Sequence, residues 1–145
     1  MGVAGIRHAG IVVSDMSRSL PFYRDLLGME VWFDMEDASP FLETLTEVPG
    51  ARLRAVKLRA QDGVSIELLQ YLSHPQAVPA EGRACDVGCN HVALQVEDIG
   101  ALYDRLTAAG IRFHAPPSGV PGGGARIAYC RDPEGVVVEL VQLGD

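Results

Sequence analysis

The sequence predicts an α+β fold made of two βαβββ modules in tandem, because two segments of the chain begin in the same way. Each begins with a short apolar run that carries a histidine and reaches an aspartate seven residues later, as in His8 with Asp15 and His91 with Asp98. One shift of 83 positions superimposes both pairs. A repeat of this kind predicts two copies of one supersecondary unit.

The two halves also end in the same way. Each finishes with a turn that contains Asp and Gly, followed by a strand with a glutamate in its middle, in the segments QDGVSIELLQY and DPEGVVVELVQL. Glu67 and Glu139 each stand four residues after the glycine of their turn. The repeat therefore extends to the last strand of each half.

One helix follows the first strand of each half. Its aspartate is a typical N-cap residue, and Gly28 and Gly110 are typical residues just past a helix C-terminus. Between these limits the apolar residues recur at helical spacing. They are Met16, Leu20, Tyr23 and Leu27 in the first half, and Ile99, Leu102, Leu106 and Ala109 in the second.

Further strands complete each module. They are predicted in MEVWFDM and ARLRAVKLRA in the first half, and in IRFHA and ARIAYCRD in the second, with a loop from Pro116 to Gly124. Proline and glycine between the halves indicate a connection. We expect a single domain over residues 1–145, with module one at about 5–72, a linker at about 73–88 and module two at about 89–143.

The first half contains an additional stretch at residues 36–50, EDASPFLETLTEVPG. Its residues Phe41, Leu42 and Leu45 predict one or two turns of helix. Such a helix would either cap the core or form a lid or wall of a binding pocket, since loops over a rigid scaffold often carry binding residues. Both interpretations stay open at this point.

Composition favours a globular protein that acts on a small molecule. Of 145 residues, 48% are hydrophobic and 21% are charged, and the formal net charge of −7 argues against nucleic acid or an anionic membrane as a partner. The sequence has no membrane-spanning run and no signal peptide, so we expect a cytoplasmic protein. Cys85, Cys89 and Cys130 lack zinc-binding spacing and fit a reducing compartment.

Glu67 and Glu139 are predicted metal ligands because both interrupt apolar strands. Strand side chains alternate between two faces, so Glu67 shares its face with Leu69 and Tyr71. A glutamate among apolar neighbours is unfavourable unless it is paired, hydrogen-bonded or bound to a cation. A glutamate of this kind occurs at matching positions in both halves, which favours the same function for Glu67 and Glu139.

His8 and His91 are the predicted nitrogen ligands. Small residues, Gly10 and Ala93, follow two positions later and leave space beside each imidazole. If the two modules pack side by side, the two histidines and two glutamates meet at one point. Imidazole and carboxylate without thiolate suit a divalent first-row ion, namely nickel, cobalt, iron, manganese or zinc. The remaining histidines, at positions 74 and 114, have no repeat partner and are interpreted as ordinary surface residues.

The four predicted ligands, in this order on paired modules, resemble those of the glyoxalase I, bleomycin resistance and extradiol dioxygenase superfamily, also called vicinal oxygen chelate proteins. The segments SLPFYRDLLGM and RDPEGVVVEL add to the resemblance, which covers nearly the whole chain. It implies curved mixed sheets around a cleft with one divalent metal ion per site. It also implies a homodimer, because modules of this kind often join across two chains.

The presence of four ligands is similar to glyoxalase I and to methylmalonyl-CoA epimerase, which often has an amide side chain in place of Glu67. Both enzymes move a proton at a carbon next to a carbonyl. The resemblance therefore implies isomerase, epimerase or lyase chemistry on a small substrate that is chelated through vicinal oxygens. A carboxylate beside the metal can leave the ion, take the proton and return it. Glu139, and after it Glu67, are the candidate catalytic bases.

Two alternatives stay open within the same superfamily. An iron-dependent dioxygenase would need Glu67 to be a loose or dispensable ligand, and a drug-binding protein of the bleomycin resistance kind would typically lack the metal ligands. Glutathione-dependent lyases commonly have Arg and Asn where this chain has Val12 and Tyr71. This departure argues against glutathione and favours an apolar or aromatic substrate, with Tyr71, Phe41 and Trp32 as candidate wall residues.

Overall fold

A computed structural model describes residues 2–78 and 81–144 of the chain. The chain divides into two compact units, Met1–Val78 and Pro79–Asp145. Each unit has one four-stranded mixed sheet, so the predicted tandem of βαβββ modules is confirmed. The predicted linker at about 73–88 includes residues 79 and 80, which lie outside the described residues. Within the described part of the chain, the helices are too short and too polar to cross a membrane.

The first unit begins and ends with paired strands. In chain order its elements are β1 (His8–Val12), α1 (Met16–Pro21), a π-helical turn (Phe22–Leu26), β2 (Glu30–Asp37), α2 (Pro40–Thr46), β3 (Leu53–Arg59) and β4 (Ser65–Tyr71). The sheet order is β1-β4-β3-β2. β1 and β4 run parallel, and the other neighbouring strands are antiparallel.

The second unit repeats this topology without the inserted helix. Its elements are β5 (His91–Gln95), α3 (Ile99–Ala108), β6 (Ser118–Gly119), β7 (Ala125–Arg131) and β8 (Val137–Leu143). The sheet order β5-β8-β7-β6 matches that of the first unit position by position. The first and last strands are again parallel neighbours.

The strand predicted in IRFHA is wrong. That segment contributes only the single bridge between Phe113 and Cys130, and the edge strand is β6, inside the predicted loop. The Phe113 ring packs edge-on against Tyr103, with centroids 4.7 Å apart, which holds the segment beside the sheet. Pro116 and Pro117 then follow, and a residue without an N–H cannot continue the ladder. Strand pairing therefore resumes at Ser118, directly after the two prolines.

The first helix widens before it ends. Pro21 lacks the N–H that an α-helix needs at that position, and the next turn is a π turn in which Leu27 N donates to Phe22 O at 3.0 Å. Tyr23 is completely buried, as its predicted place on the apolar stripe requires. Gly28 has φ of 73°, so the predicted glycine stop is confirmed.

Both main helices are capped by a glutamine from the last strand of their unit. The Oε1 atom of Gln70 accepts a hydrogen bond from Met16 N at 3.0 Å, and that of Gln142 accepts from Ile99 N at 3.0 Å. The predicted aspartate caps also accept backbone hydrogen bonds. The last strand and the helix of each unit are thereby tied to one another.

The two faces of the first sheet have different environments. Ile66 and Leu68 of β4 are buried on the face that packs against α1, whereas Glu67 and Tyr71 lie on the opposite, partly exposed face, here called the open face. The predicted alternation of the last strand is confirmed. α2 covers part of the open face, where Leu42 packs into a small cluster with Leu53, Ala51 and Ala55.

Candidate functional site

The first unit brings together two of the four predicted ligands. Nε2 of His8 lies 2.9 Å from Oε2 of Glu67. The imidazole is about one third exposed, and the carboxylate side chain is 14% exposed. β4 is a central strand, so backbone pairing with β1 on one side and β3 on the other fixes the strand that carries the glutamate, whereas β1 lies at the edge of the sheet. Glu67 is therefore presented on a rigid part of the fold.

The second unit contains the equivalent pair. Nε2 of His91 lies 3.1 Å from Oε2 of Glu139, and the side chains are 48% and 16% exposed. The His91 ring also lies against Tyr129, with centroids 5.5 Å apart. Burial, then the negative charge of Glu139 and a hydrogen bond to it, raise the pKa of Tyr129. This phenol therefore stays protonated beside the glutamate at neutral pH.

A small residue directly opposite each glutamate explains how the pairs form. In the parallel register, Gly10 is the partner of Glu67, and Ala93 is the partner of Glu139. The histidine stands two residues earlier on the same face of the same strand. With little or no side chain opposite the glutamate, the imidazole can reach the carboxylate diagonally across the two strands.

The two pairs have the donor atoms that a divalent first-row ion binds. An imidazole nitrogen and a carboxylate oxygen at hydrogen-bond distance either share a proton or are able to bind one cation. The chemistry of both pairs thus fits the predicted metal. Among the described residues, no third His, Cys, Asp or Glu side chain joins either pair in a cluster of three. Convergence of all four ligands on one ion remains a prediction.

Lys57 stands beside the first pair and was missed from the sequence. It is the direct antiparallel partner of Glu67, and its Nζ lies 3.3 Å from Oε1 of that residue. The equivalent partner of Glu139 is Tyr129. Both partners stand ten residues before their glutamates, and the hairpin spacing was the signal that would have revealed them. The two glutamates therefore have unlike neighbours, one cationic and one neutral.

An apolar cavity of about 400 Å³ opens on the same face as Glu67. α2 and β2 form much of its wall, with Phe41, Leu45 and Met35 all substantially exposed. Tyr71 also lines it, whereas Trp32 lines a separate small cavity. Both interpretations of the inserted helix are supported, because Leu42 caps a core cluster while its neighbours face the cavity.

His74 and His114 lie outside both pairs. His74 Nδ1 is 2.8 Å from Ser73 Oγ, in an exposed position. The Nε2 atom of His114 accepts a hydrogen bond from Arg131 Nε at 3.2 Å. Burial, and then the charges of Arg131 and Arg112, lower the pKa of His114, which keeps it neutral as this acceptor role requires. These contacts give both histidines local structural roles.

Sequence comparisons place these observations among known proteins. The profile of the Glyoxalase/Bleomycin resistance protein/Dioxygenase superfamily matches residues 5–140. A probable lactoylglutathione lyase of Vibrio cholerae is 30% identical over 142 residues, covering 94% of this chain and 89% of that protein. The lactoylglutathione lyase of Haemophilus influenzae is 29% identical, covering 94% and 91%.

Solved structures share the fold at lower identity. A glyoxalase family protein from Bacillus cereus has a TM-score of 0.89 at 20% identity and covers all of this chain, with 97% of that chain matched. An antibiotic binding protein from Streptomyces sp. CB03234 has a TM-score of 0.67 at 21% identity, covering 99% of each chain. At these identities the likeness concerns the fold alone.

Proposed function

The chain belongs to the Glyoxalase/Bleomycin resistance protein/Dioxygenase superfamily, and on that premise we propose that it is a metal-dependent enzyme of the glyoxalase and epimerase type. It moves a proton at a carbon next to a carbonyl in a small substrate that is held through vicinal oxygens. The observation that carries this proposal is the repeated contact of a histidine with a mid-strand glutamate, at 2.9 Å and 3.1 Å. Relatives named lactoylglutathione lyase support lyase chemistry.

The proposed ligands of one divalent ion are His8, Glu67, His91 and Glu139. When bound, a first-row ion supplies Lewis acidity that stabilises negative charge on substrate oxygens. Nickel, cobalt, iron, manganese and zinc all suit the donor set. The protein's own contribution is to orient the substrate and to move the proton.

Glu139 is the first candidate for the base, and Glu67 is the second. A carboxylate oxygen of the base takes the proton from the substrate carbon and returns it to the same or the neighbouring carbon. The two glutamates differ in their surroundings, because the Lys57 ammonium group lies 3.3 Å from Glu67, whereas the neutral phenol of Tyr129 lies beside Glu139. These unlike neighbours favour different roles for the two glutamates, with Glu139 exchanging the proton and Glu67 remaining a metal ligand.

The proposed substrate has an apolar part and does not include glutathione. Tyr71, which lines the apolar cavity on the open face, and Val12, which is 55% exposed, stand where glutathione-dependent lyases commonly have asparagine and arginine. A cavity of about 400 Å³ beside Glu67 suits an aliphatic or aromatic group. The iron dioxygenase and drug-binding alternatives remain as outcomes of the test.

The test begins with metal analysis of protein purified without chelators. Stripped protein is then titrated with nickel, cobalt, iron, manganese and zinc. We expect about one ion per chain, and loss of that ion in the His8→Ala, His91→Ala double variant. The exposed His74→Ala change is the matched control. Unchanged metal content in the double variant would overturn the ligand assignment.

Activity is tested with 2-hydroxyacetophenone, which carries vicinal oxygens and a carbon-bound hydrogen next to a carbonyl. We expect metal-loaded protein to exchange that hydrogen with solvent deuterium, measured by NMR. Oxygen uptake with the iron form would point to the dioxygenase instead. Tight binding of aromatic ligands without metal or turnover would indicate a drug-binding protein.

A further inference from the structure

Lys57 is the only lysine in a chain that has eleven arginines. Several arginines form exposed ion pairs with neighbouring acids, such as Arg54 with Asp34 and Arg59 with Glu30. Lys57 is different, because its side chain is 20% exposed and lies on the open face. The single lysine side chain of this protein, with its compact and rotatable ammonium group, is therefore at the candidate site.

Two cavities meet at Lys57. One is the apolar cavity of about 400 Å³ under α2, and the other is a cavity of about 190 Å³ beside His8. Among the described lining residues, Lys57 is the one that both cavities share. Arg7 and Arg59 line the smaller cavity and add positive charge on that side. A ligand in the apolar cavity that reached this junction would meet an ammonium group.

The surroundings of Lys57 favour an anion at the junction. Its Nζ lies 5.1 Å from the ring centroid of Phe33 and 5.8 Å from that of Trp32. These two neighbours are aromatic rings, which do not accept conventional hydrogen bonds. An ammonium group has three N–H donors. Asp37, the other acid that lines the apolar cavity, accepts a hydrogen bond from Ser39 N at 2.8 Å. Lys57 therefore has donor capacity beyond its contact with Glu67.

We propose that Lys57 binds the carboxylate of the substrate while the apolar cavity binds its side chain. The substrate class is then a carboxylic acid with an oxygen on the neighbouring carbon and an aliphatic or aromatic side chain. The carboxylate and that oxygen are the vicinal oxygens, so the inference rests on the proposed function. With Glu67 engaged by a divalent ion, the ammonium group is free for this anion.

The test compares two probes that differ only in charge, 3-phenyllactate and its amide. Trp32 is the only tryptophan in the chain and lies beside Lys57, so its fluorescence reports binding at this place. Binding is measured with metal-free and with zinc-loaded protein. We expect the acid to bind the zinc form at least about tenfold more tightly than the amide, the range expected for a hydrogen bond to a charged group.

Variants assign that preference to one side chain. Lys57→Met keeps the length of the apolar stem and is expected to remove the preference for the acid while amide binding changes less than about twofold. Lys57→Arg is expected to restore part of it. Arg54→Met is the matched control, because it removes a cation from the same strand at a position paired with Asp34. Amide binding by Lys57→Met also reports that the variant is folded.

A single NMR signal gives a second measurement. Protein labelled with ¹³Cε-lysine has one lysine signal, which we expect to move on addition of the acid and to move far less with the amide. Equal affinity for both probes, no binding of either at millimolar concentration, or an unmoved signal would overturn the assignment of Lys57. Lys57-dependent acid binding without any metal binding would instead overturn only the proposed function.

Discussion

Lys57 and Tyr129 occupy the same position in the two repeats, each directly across the sheet from the glutamate of its unit. One is a cation that forms an ion pair with Glu67, and the other is a phenol whose pKa is raised by burial and by the neighbouring Glu139. The repeat therefore provides two similar histidine–glutamate pairs in different electrostatic settings. This difference gives the first two predictions.

Lys57→Met is expected to increase metal affinity by up to about fivefold. If Glu67 is a metal ligand as proposed, the ammonium group competes with the ion for this carboxylate, and a partly exposed ion pair is worth at most about 1 kcal/mol. Competition with a fluorescent zinc chelator measures the change. Arg54→Met, which breaks an exposed pair with Asp34 away from both cavities, is expected to leave metal affinity unaltered. Weaker zinc binding by Lys57→Met would contradict the competition.

Glu139→Gln and His91→Ala are expected to separate proton transfer from metal binding. Loss of a general base typically slows a reaction by about 10²- to 10⁴-fold, so Glu139→Gln should lose exchange with 2-hydroxyacetophenone while keeping part of its zinc. His91→Ala should lose both, because it removes a nitrogen donor. Exchange by Glu139→Gln at the natural rate would indicate that Glu67 is the base. Glu67→Gln is the companion variant that tests this outcome.

Gln70→Ala and Gln142→Ala are expected to lower the free energy of unfolding by about 1 kcal/mol each. Each glutamine accepts a hydrogen bond from the first backbone N–H of a helix, and alanine leaves that donor without its partner. Urea unfolding followed by circular dichroism measures the change. Gln61→Ala, in an exposed turn, is the control. A similar loss of unfolding free energy in the control would contradict the capping role of the two glutamines.

Cys130 is expected to resist alkylation at pH 8 in the folded protein. Burial raises the pKa of its thiol to about 12, so only about one molecule in ten thousand carries the reactive thiolate at that pH. Cys85 is exposed and Cys89 is half-buried, so both should react with iodoacetamide. Mass spectrometry should therefore count two additions in buffer and three in urea. Rapid addition of a third group in buffer would indicate that β7 opens readily.

The sequence predicted the repeated architecture, because a repeat is visible in period and spacing. The same histidines and mid-strand glutamates were predicted to meet at one point, whereas the contact of each histidine with the glutamate of its own unit emerged only from the structure. The inserted helix was also predicted, from Phe41, Leu42 and Leu45. The fact that it covers the face of Glu67 depends on tertiary packing, which local periodicity does not contain.

Lys57 escaped prediction because its significance comes from strand register. A cross-strand neighbour is fixed by the length and geometry of the hairpin turn, here the turn that joins β3 to β4. The strand expected in IRFHA failed for a related reason. Its apolar residues suited a strand, but Pro116 and Pro117 ended the ladder after a single bridge.

The glutamine caps fix the register of the strands that carry the two glutamates. Gln70 stands three residues after Glu67 and therefore on the opposite face of β4. A slip of one residue would turn Glu67 into the core and Gln70 away from the helix, and a slip of two would move Gln70 about 6.6 Å along the strand. Only one alignment lets Gln70 accept the hydrogen bond from Met16 N at the start of α1, and the same alignment brings Glu67 to His8. Gln142 imposes the same constraint in the second unit, so in each unit the start of the helix fixes the position of a proposed ligand on the opposite face of the strand.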